Sequence, residues 1–340
     1  MRLIMRPAAR DWSCPPAPVE VRAFHVALPG YAPTPLTELP LLAAELGVAR
    51  VFVKDESSRL GLPAFKALGA SWAIHRILAT ADGPLTLVTA TDGNHGRAVA
   101  RTARLLGQRA HVLVPKGVRQ SAVDAIAGEG ARVTRVDGPY DEAVRRAAAV
   151  ADEPGSVLVQ DTALPGYEDI PAWIVAGYSS LFAEIDSQLA AAGAESPDLV
   201  AVPVGVGSLA QAAVTHYRSR PAPGPVLLSV EPEAAACVLA SLTQGRPVSV
   251  TTGDTIMAGL NCGTPSGLAW PFLRDGLDAA VAVTDADSAR AVRDLAALGV
   301  FSGPCGAASL AGIRVAADQG LTLDPASVVV LLSTEGPVEN

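Results

Sequence analysis

Lys66 is one of only three lysines among 26 basic residues, the others being Lys54 and Lys116, and it stands in the apolar stretch Pro63-Ala64-Phe65-Lys66-Ala67-Leu68-Gly69. A guanidinium stays protonated and cannot act as a nucleophilic amine. An ε-amine can lose its proton and condense with an aldehyde. The same segment also fits a lysine that snorkels from the edge of a helix. Around it in the chain are other residues suited to chemistry. Thr91-Asp92-Gly93-Asn94-His95-Gly96 places small polar residues and two glycines before a helical stretch, where free N–H groups can receive an anion such as a carboxylate. One cap residue would serve an ordinary helix start, and Asp, Asn and His together exceed that need.

Val204-Gly205-Val206-Gly207-Ser208 precedes another helical stretch. Glycines there allow close backbone approach and the helix dipole favours a phosphate dianion. It is neither a Walker loop nor a dinucleotide fingerprint. Leu332-Ser333-Thr334-Glu335-Gly336 closes the last apolar run with hydroxyls. Asp161, in Gln160-Asp161-Thr162, reads by itself as a turn or cap residue.

These residues need elements to carry them. Nine short apolar runs predict strands at Val51–Val53, Leu85–Thr89, His111–Val114, Arg132–Val136, Val157–Val159, Leu199–Val202, Val226–Val230, Ala280–Val283 and Val328–Leu332. Amphipathic stretches between them predict helices, among them Phe65–Leu78, Gly96–Leu106, Pro171–Ala191 and Leu209–Arg218. Such alternation argues for an α/β fold with parallel sheets and right-handed crossovers. The candidate residues then fall at strand–loop–helix junctions, which face the crevice beyond the strands' carboxyl ends. Residues 1–40, rich in proline, predict an irregular arm. The strands suit either one wide sheet or two with a cleft between them.

The 340 residues suffice for two lobes or one large domain, and the apolar fraction of 49% with only 4% aromatics implies a core of Ala, Val and Leu. Net charge is −8 and no basic stripe carries interleaved aromatics, so nucleic acid and anionic membrane are not expected partners. No apolar run of 18 residues and no signal peptide are apparent. Four sparse cysteines suit a reduced, cytoplasmic protein, with the pairing of Cys237 and Cys262 left open. Five histidines in no ligand spacing suggest no metal.

Taken as a set, the segments resemble a known family. Tyr31-Ala-Pro-Thr-Pro-Leu36, Val53-Lys-Asp-Glu-Ser57, Ala64-Phe-Lys-Ala-Leu-Gly69, Ala90-Thr-Asp-Gly-Asn-His-Gly-Arg97, Gln160-Asp-Thr162, Gly205-Val-Gly-Ser208, Thr255-Ile-Met-Ala-Gly-Leu260 and Ser333-Thr-Glu-Gly336 are similar to the tryptophan-synthase-β-like, fold type II pyridoxal-phosphate enzymes. Within these the diaminopropionate ammonia-lyase branch matches best, from about residue 24 to 336. The resemblance implies a two-lobed molecule with pyridoxal 5'-phosphate in the cleft. Residues 1–70 plus 166–340 would form the large domain and 71–165 a small mobile one.

By match, Lys66 would be the Schiff-base lysine. Gly205, Val206, Gly207 and Ser208 would hold the phosphate, and Asn94 the cofactor's phenolic oxygen. Ser333 would face the pyridine nitrogen, with Thr334 nearby. Thr91, Gly93 and His95 would line the substrate carboxylate site. Asp92 stands where the wider superfamily usually has Ser, which marks the branch. Asp92 and Asp161 would attract the second amine of 2,3-diaminopropionate and supply bases on opposite faces of Cα, Lys66 being the alternative on Asp161's side. The implied activity is elimination of ammonia to give pyruvate, in a homodimer. Another eliminase or β-replacement enzyme of the fold, or a non-catalytic homologue, are the alternatives. Pro304 and Cys305 depart from the family pattern, as do Leu164-Pro165 and Asn261.

Overall fold

The computed structural model describes residues 2–91, 93–164, 166–221 and 223–337. Its strands are β1 (Leu3–Met5), β2 (Leu36–Glu38), β3 (Arg50–Asp55), β4 (Thr86–Ala90), β5 (Arg109–Pro115), β6 (Arg132–Val136), β7 (Ser156–Leu158), β8 (Leu199–Pro203), β9 (Val226–Pro232), β10 (Ala279–Val283) and β11 (Val328–Ser333). The helices are α1 (Glu20–Val26), α2 (Pro40–Leu46), α3 (Lys66–Leu78), α4 (Asn94–Leu105), α5 (Gln120–Gly128), α6 (Tyr140–Ala151), α7 (Asp169–Gly177), α8 (Ser179–Ala191), α9 (Ser208–Arg218), α10 (Cys237–Gln244), α11 (Trp270–Gly276), α12 (Asp285–Ala297) and α13 (Pro304–Asp318).

The strands form two sheets. The larger runs β1-β10-β9-β8-β11-β3-β2 and the smaller β6-β5-β4-β7. The five inner strands of the large sheet are parallel, and its edges β1 and β2 pair antiparallel with β10 and β3. Every strand of the small sheet is parallel to its neighbours. Parallel strands need helices on both faces, so their side chains are apolar at consecutive positions. β8, β10 and β11 are buried throughout. Alternate residues serve opposite faces: Val200 and Val202 join one core, Leu199 and Ala201 the other.

Two expectations need correction. Residues 1–40 are not an irregular arm. They contribute β1, α1 and β2: β1 closes one edge of the large sheet against β10, far along the chain, and β2 closes the other against nearby β3. The stretch Pro171–Ala191 is not one helix. It divides at Tyr178 into α7 and α8. A Cβ on Gly177 would lie 2.6 Å from the Leu68 carbonyl oxygen and 2.8 Å from the Gly69 Cα, so its absence lets α7 press against α3 where the turn is made.

A buried charge cluster sets the approach to α3. Lys54 donates to Glu184 at 2.7 Å, to Gln188 and to the Thr34 carbonyl, while Arg59 binds both Glu56 and Glu184. All four charged side chains are inaccessible, and each is met by an opposite charge. The cluster pins the 56–59 loop that leads toward Lys66.

Candidate active site

The segment before α3 is stitched to the one that follows β11. Glu56 donates its N–H to the Ser333 carbonyl at 2.9 Å, Phe65 to Thr334 at 3.3 Å, and Gly336 to Pro63 at 2.8 Å. Ala64 and Glu335 form an antiparallel bridge. Lys66 therefore opens α3 from a backbone fixed to a central strand of the large sheet.

Its amine donates to Asp161 Oδ2 at 2.6 Å, with 24% of the lysine side chain and 12% of the aspartate exposed. Burial would lower the lysine's pKa, but the adjacent carboxylate holds it above its ordinary value. Burial would raise that of Asp161, but the Lys66 ammonium holds it below the usual carboxylate range. The pair is thus charged on both sides. Burial alone does not free the amine: Asp161 keeps its proton in place, so the amine becomes reactive only when that contact loosens.

His95 lies behind this pair. Its Nε2 bonds the Val159 carbonyl at 2.7 Å, which makes Nε2 the protonated nitrogen of the neutral ring. Nδ1 is buried with no hydrogen-bond partner and is 3.9 Å from Asp161 Oδ2. Burial, outweighing the Asp161 charge, lowers the ring's pKa. The imidazole accordingly has no second N–H to offer. Thr91 is likewise turned inward, its hydroxyl oxygen accepting the N–H groups of Gly93 at 3.0 Å and Gly96 at 3.1 Å. What this loop presents to an anion is the start of α4, whose first N–H groups precede the helix's own hydrogen-bond ladder. Asp92 lies outside the described residues.

The glycine loop follows β8 and opens α9 at Ser208. Gly207 has φ +104°, and a Cβ there would stand 2.5 Å from Leu273 Cδ1. A Cβ on Gly205 would meet Cys262 Sγ at 3.0 Å. Only glycines leave this backbone free to wrap a helix N-terminus, the geometry a phosphate needs. Ser208 Oγ donates to the Asp161 carbonyl at 3.3 Å, so the cradle and the acid of the ion pair touch. Ser333, fully buried, donates to Ser302 Oγ at 2.8 Å. Thr334 follows it, also buried. No disulfide joins Cys237 to Cys262.

An aldehyde-bearing phosphate fits these residues. They offer a partly accessible amine, a glycine cradle at a helix N-terminus, a buried hydroxyl and an amide. Two side chains that sequence reasoning missed also belong here. Tyr178, at the break between α7 and α8, has a buried hydroxyl whose pKa is pushed up to about 12 by burial, against the pull of the Lys66 charge. Glu335 accepts from Asn94 Nδ2 at 2.8 Å. The signal for Glu335 was an acid at the carboxyl end of an apolar strand; for Tyr178, a Gly-Tyr pair inside a helical run.

The chain as a whole is similar to known proteins. The chain is 38% identical over 357 residues to the diaminopropionate ammonia-lyase of Salmonella typhimurium, covering 93% of this chain and 88% of that one. To the Escherichia coli enzyme of that name it is 37% identical, over 94% and 88%. A solved structure of the Escherichia coli enzyme with an aminoacrylate-PLP azomethine reaction intermediate superposes with a TM-score of 0.88 at 34% identity, over 99% of this chain and 94% of that one. The model of the pyridoxal-phosphate dependent enzyme family matches residues 27–335, nearly all of the two sheets and every residue of the site, and the chain belongs to that family.

Proposed function

We propose that this chain removes ammonia from 2,3-diaminopropionate, giving pyruvate and a second ammonia with the uptake of one water. The observation that carries the reading is the Lys66–Asp161 pair, an amine for the cofactor held by a carboxylate suited to a cationic side chain. It is supported by the 37–38% identity to two enzymes of that name over nearly the whole chain.

Pyridoxal phosphate, when bound, takes up the electron pair released at Cα and so acidifies that carbon. Lys66 would hold its aldehyde, the Gly205–Ser208 backbone and hydroxyl its phosphate, Asn94 its phenolic oxygen, and Ser333 with Thr334 its ring. The N–H groups opening α4, within the Thr91–His95 loop, would orient the substrate carboxylate. Asp161, kept anionic, would attract the substrate's β-ammonium and, once Lys66 is engaged elsewhere, accept the Cα proton on its face. Asp92 would serve the opposite face, so that D- and L-substrates each meet a base. The β-ammonium would leave as neutral ammonia, keeping the C–N electron pair and needing no further proton, and the proton taken from Cα would stay on the carboxylate that accepted it.

The sheets suggest a division of labour. Residues 71–165 hold the small sheet and would move as a unit against 1–70 plus 166–340. A small amino-acid substrate, a homodimer and a cytoplasmic location complete the proposal. Among the described residues no helix is long and apolar enough to cross a membrane.

The test is release of ammonia and pyruvate from D- and L-2,3-diaminopropionate, with serine and threonine alongside. Turnover of diaminopropionate well above the hydroxy amino acids is expected. Turnover of serine or threonine with none of either diaminopropionate enantiomer would sink the reading.

A further inference from the structure

Glu335 is used by neither the ion pair nor the glycine cradle, yet its carboxylate is built in on several sides. Oε2 receives Asn94 Nδ2 at 2.8 Å, and Oε1 receives the Cys305 N–H at 3.3 Å, in the first turn of α13. Its backbone carbonyl accepts from Gly303 at 3.0 Å. A Cβ on Gly303 would lie 2.9 Å from Oε1 and 3.0 Å from Cγ, so the loop before α13 closes directly over the acid. The side chain thus lies between the N-termini of two helices, where a negative charge is favoured. Those helices belong to different layers: α13 packs on the large sheet, whereas α4 packs on the small one.

We propose that Glu335 is the positioning residue for Asn94, fixing the orientation of its amide and tying the small sheet's layer to the strand end that also anchors Lys66. The proposal rests on the reading that Asn94 meets the cofactor's phenolic oxygen. A side-chain amide can turn over, exchanging its N–H₂ and its oxygen with little change of shape. A carboxylate accepts and cannot donate, so it selects one orientation: Nδ2 gives one hydrogen to Glu335 and keeps a second for another acceptor. Backbone bonds at Ala64, Pro63 and Phe65 hold the segment around Glu335 beside Lys66. The amide and the amine are therefore set from the same short stretch after β11.

Glu335→Gln tests the assignment, because the new amide keeps the shape but presents an N–H₂ group either to Asn94 or to the Cys305 N–H. The first measurement is the side-chain amide resonances of Asn94 in ¹⁵N-labelled protein, with and without pyridoxal phosphate. A hydrogen given to a carboxylate is displaced downfield, and in Glu335→Gln that displacement is expected to shrink if the new amide turns its oxygen to Asn94 and to vanish if it turns its N–H₂. The second is a cycle of pyridoxal phosphate dissociation constants for wild type, Glu335→Gln, Asn94→Ala and the double variant. Each single change is expected to weaken binding about ten- to a hundred-fold, and the second to add little to the first. Melting of the cofactor-free proteins checks that all variants fold.

Unchanged Asn94 resonances in Glu335→Gln, or effects on cofactor binding that simply multiply, would overturn the proposal. Cofactor binding unchanged in Asn94→Ala, with the resonances still moving, would instead remove Asn94 from the cofactor's contacts, and the role of Glu335 toward the cofactor with it.

Discussion

The amine of Lys66 and the carboxylate of Asp161 meet at 2.6 Å, joining the first residue of α3 to the loop beyond β7. Each sets the other's charge. In the proposed reaction the residue that would react is held by the residue that would later accept a proton, and one event, the loss of their contact, would make both available.

Asp161→Asn removes the guard. With the Asp161 charge gone, burial meets less opposition at Lys66 and its pKa falls. Covalent capture of pyridoxal phosphate, followed by borohydride reduction across a pH series, is expected to begin at lower pH in this variant than in wild type. Its turnover is expected to fall on the order of 10² or more for at least one enantiomer. An unshifted capture profile would mean that the ion pair does not control the amine.

Lys66→Ala removes the amine altogether. Reduction should then leave no cofactor attached to the peptide containing residue 66, which mass spectrometry of a digest would read, and ammonia release should fall below detection. Attachment at Lys54 or Lys116 would refute the assignment.

Gly207→Ala places a Cβ against Leu273 at 2.5 Å, on a backbone at φ +104°. The strain is about 1–3 kcal/mol and lies in the phosphate cradle. Pyridoxal phosphate affinity is expected to fall on the order of tenfold or more by absorbance titration, with little change in far-ultraviolet circular dichroism.

The buried charge cluster gives a pH signature. Burial would push the Glu184 carboxyl up, but Arg59 and Lys54 hold it down at about 2, against 4.5 for an ordinary glutamate. Because the folded value is the lower one, the stabilisation is complete above about pH 4.5 and is lost as pH falls toward 2. Denaturant unfolding at stepped acid pH should show that decline, and Glu184→Gln should make it shallower. At neutral pH that variant should be about 3–5 kcal/mol less stable, since it leaves buried cations short of a partner.

The strands and the loops that follow them were legible because buried parallel strands need runs of Val, Leu and Ala, and those runs mark their own carboxyl ends. The places of Lys66 and of the Gly205–Ser208 loop, at the starts of α3 and α9, were readable for the same reason. Less was legible where partners lie far apart in the chain. β1 pairs with β10, and Asn94 meets Glu335 across 241 residues. Neither leaves a local trace. Thr91 and His95 have the composition of substrate-facing residues, but the first spends its oxygen on the turn and the second its N–H on Val159. In the proposed reading their contribution to the site would come through the backbone they shape.

β11 lies between β8 and β3 in the large sheet, and it follows in sequence every other strand and helix described. A chain stopped anywhere before Val328 would not lose an edge. It would be split down the middle, with β3 and the Lys66 segment on one side and the phosphate cradle on the other. Premature stop codons across the whole preceding coding region should therefore be equivalent as null alleles. On the ribosome, the lysine and the cradle come into register only after β11 has emerged.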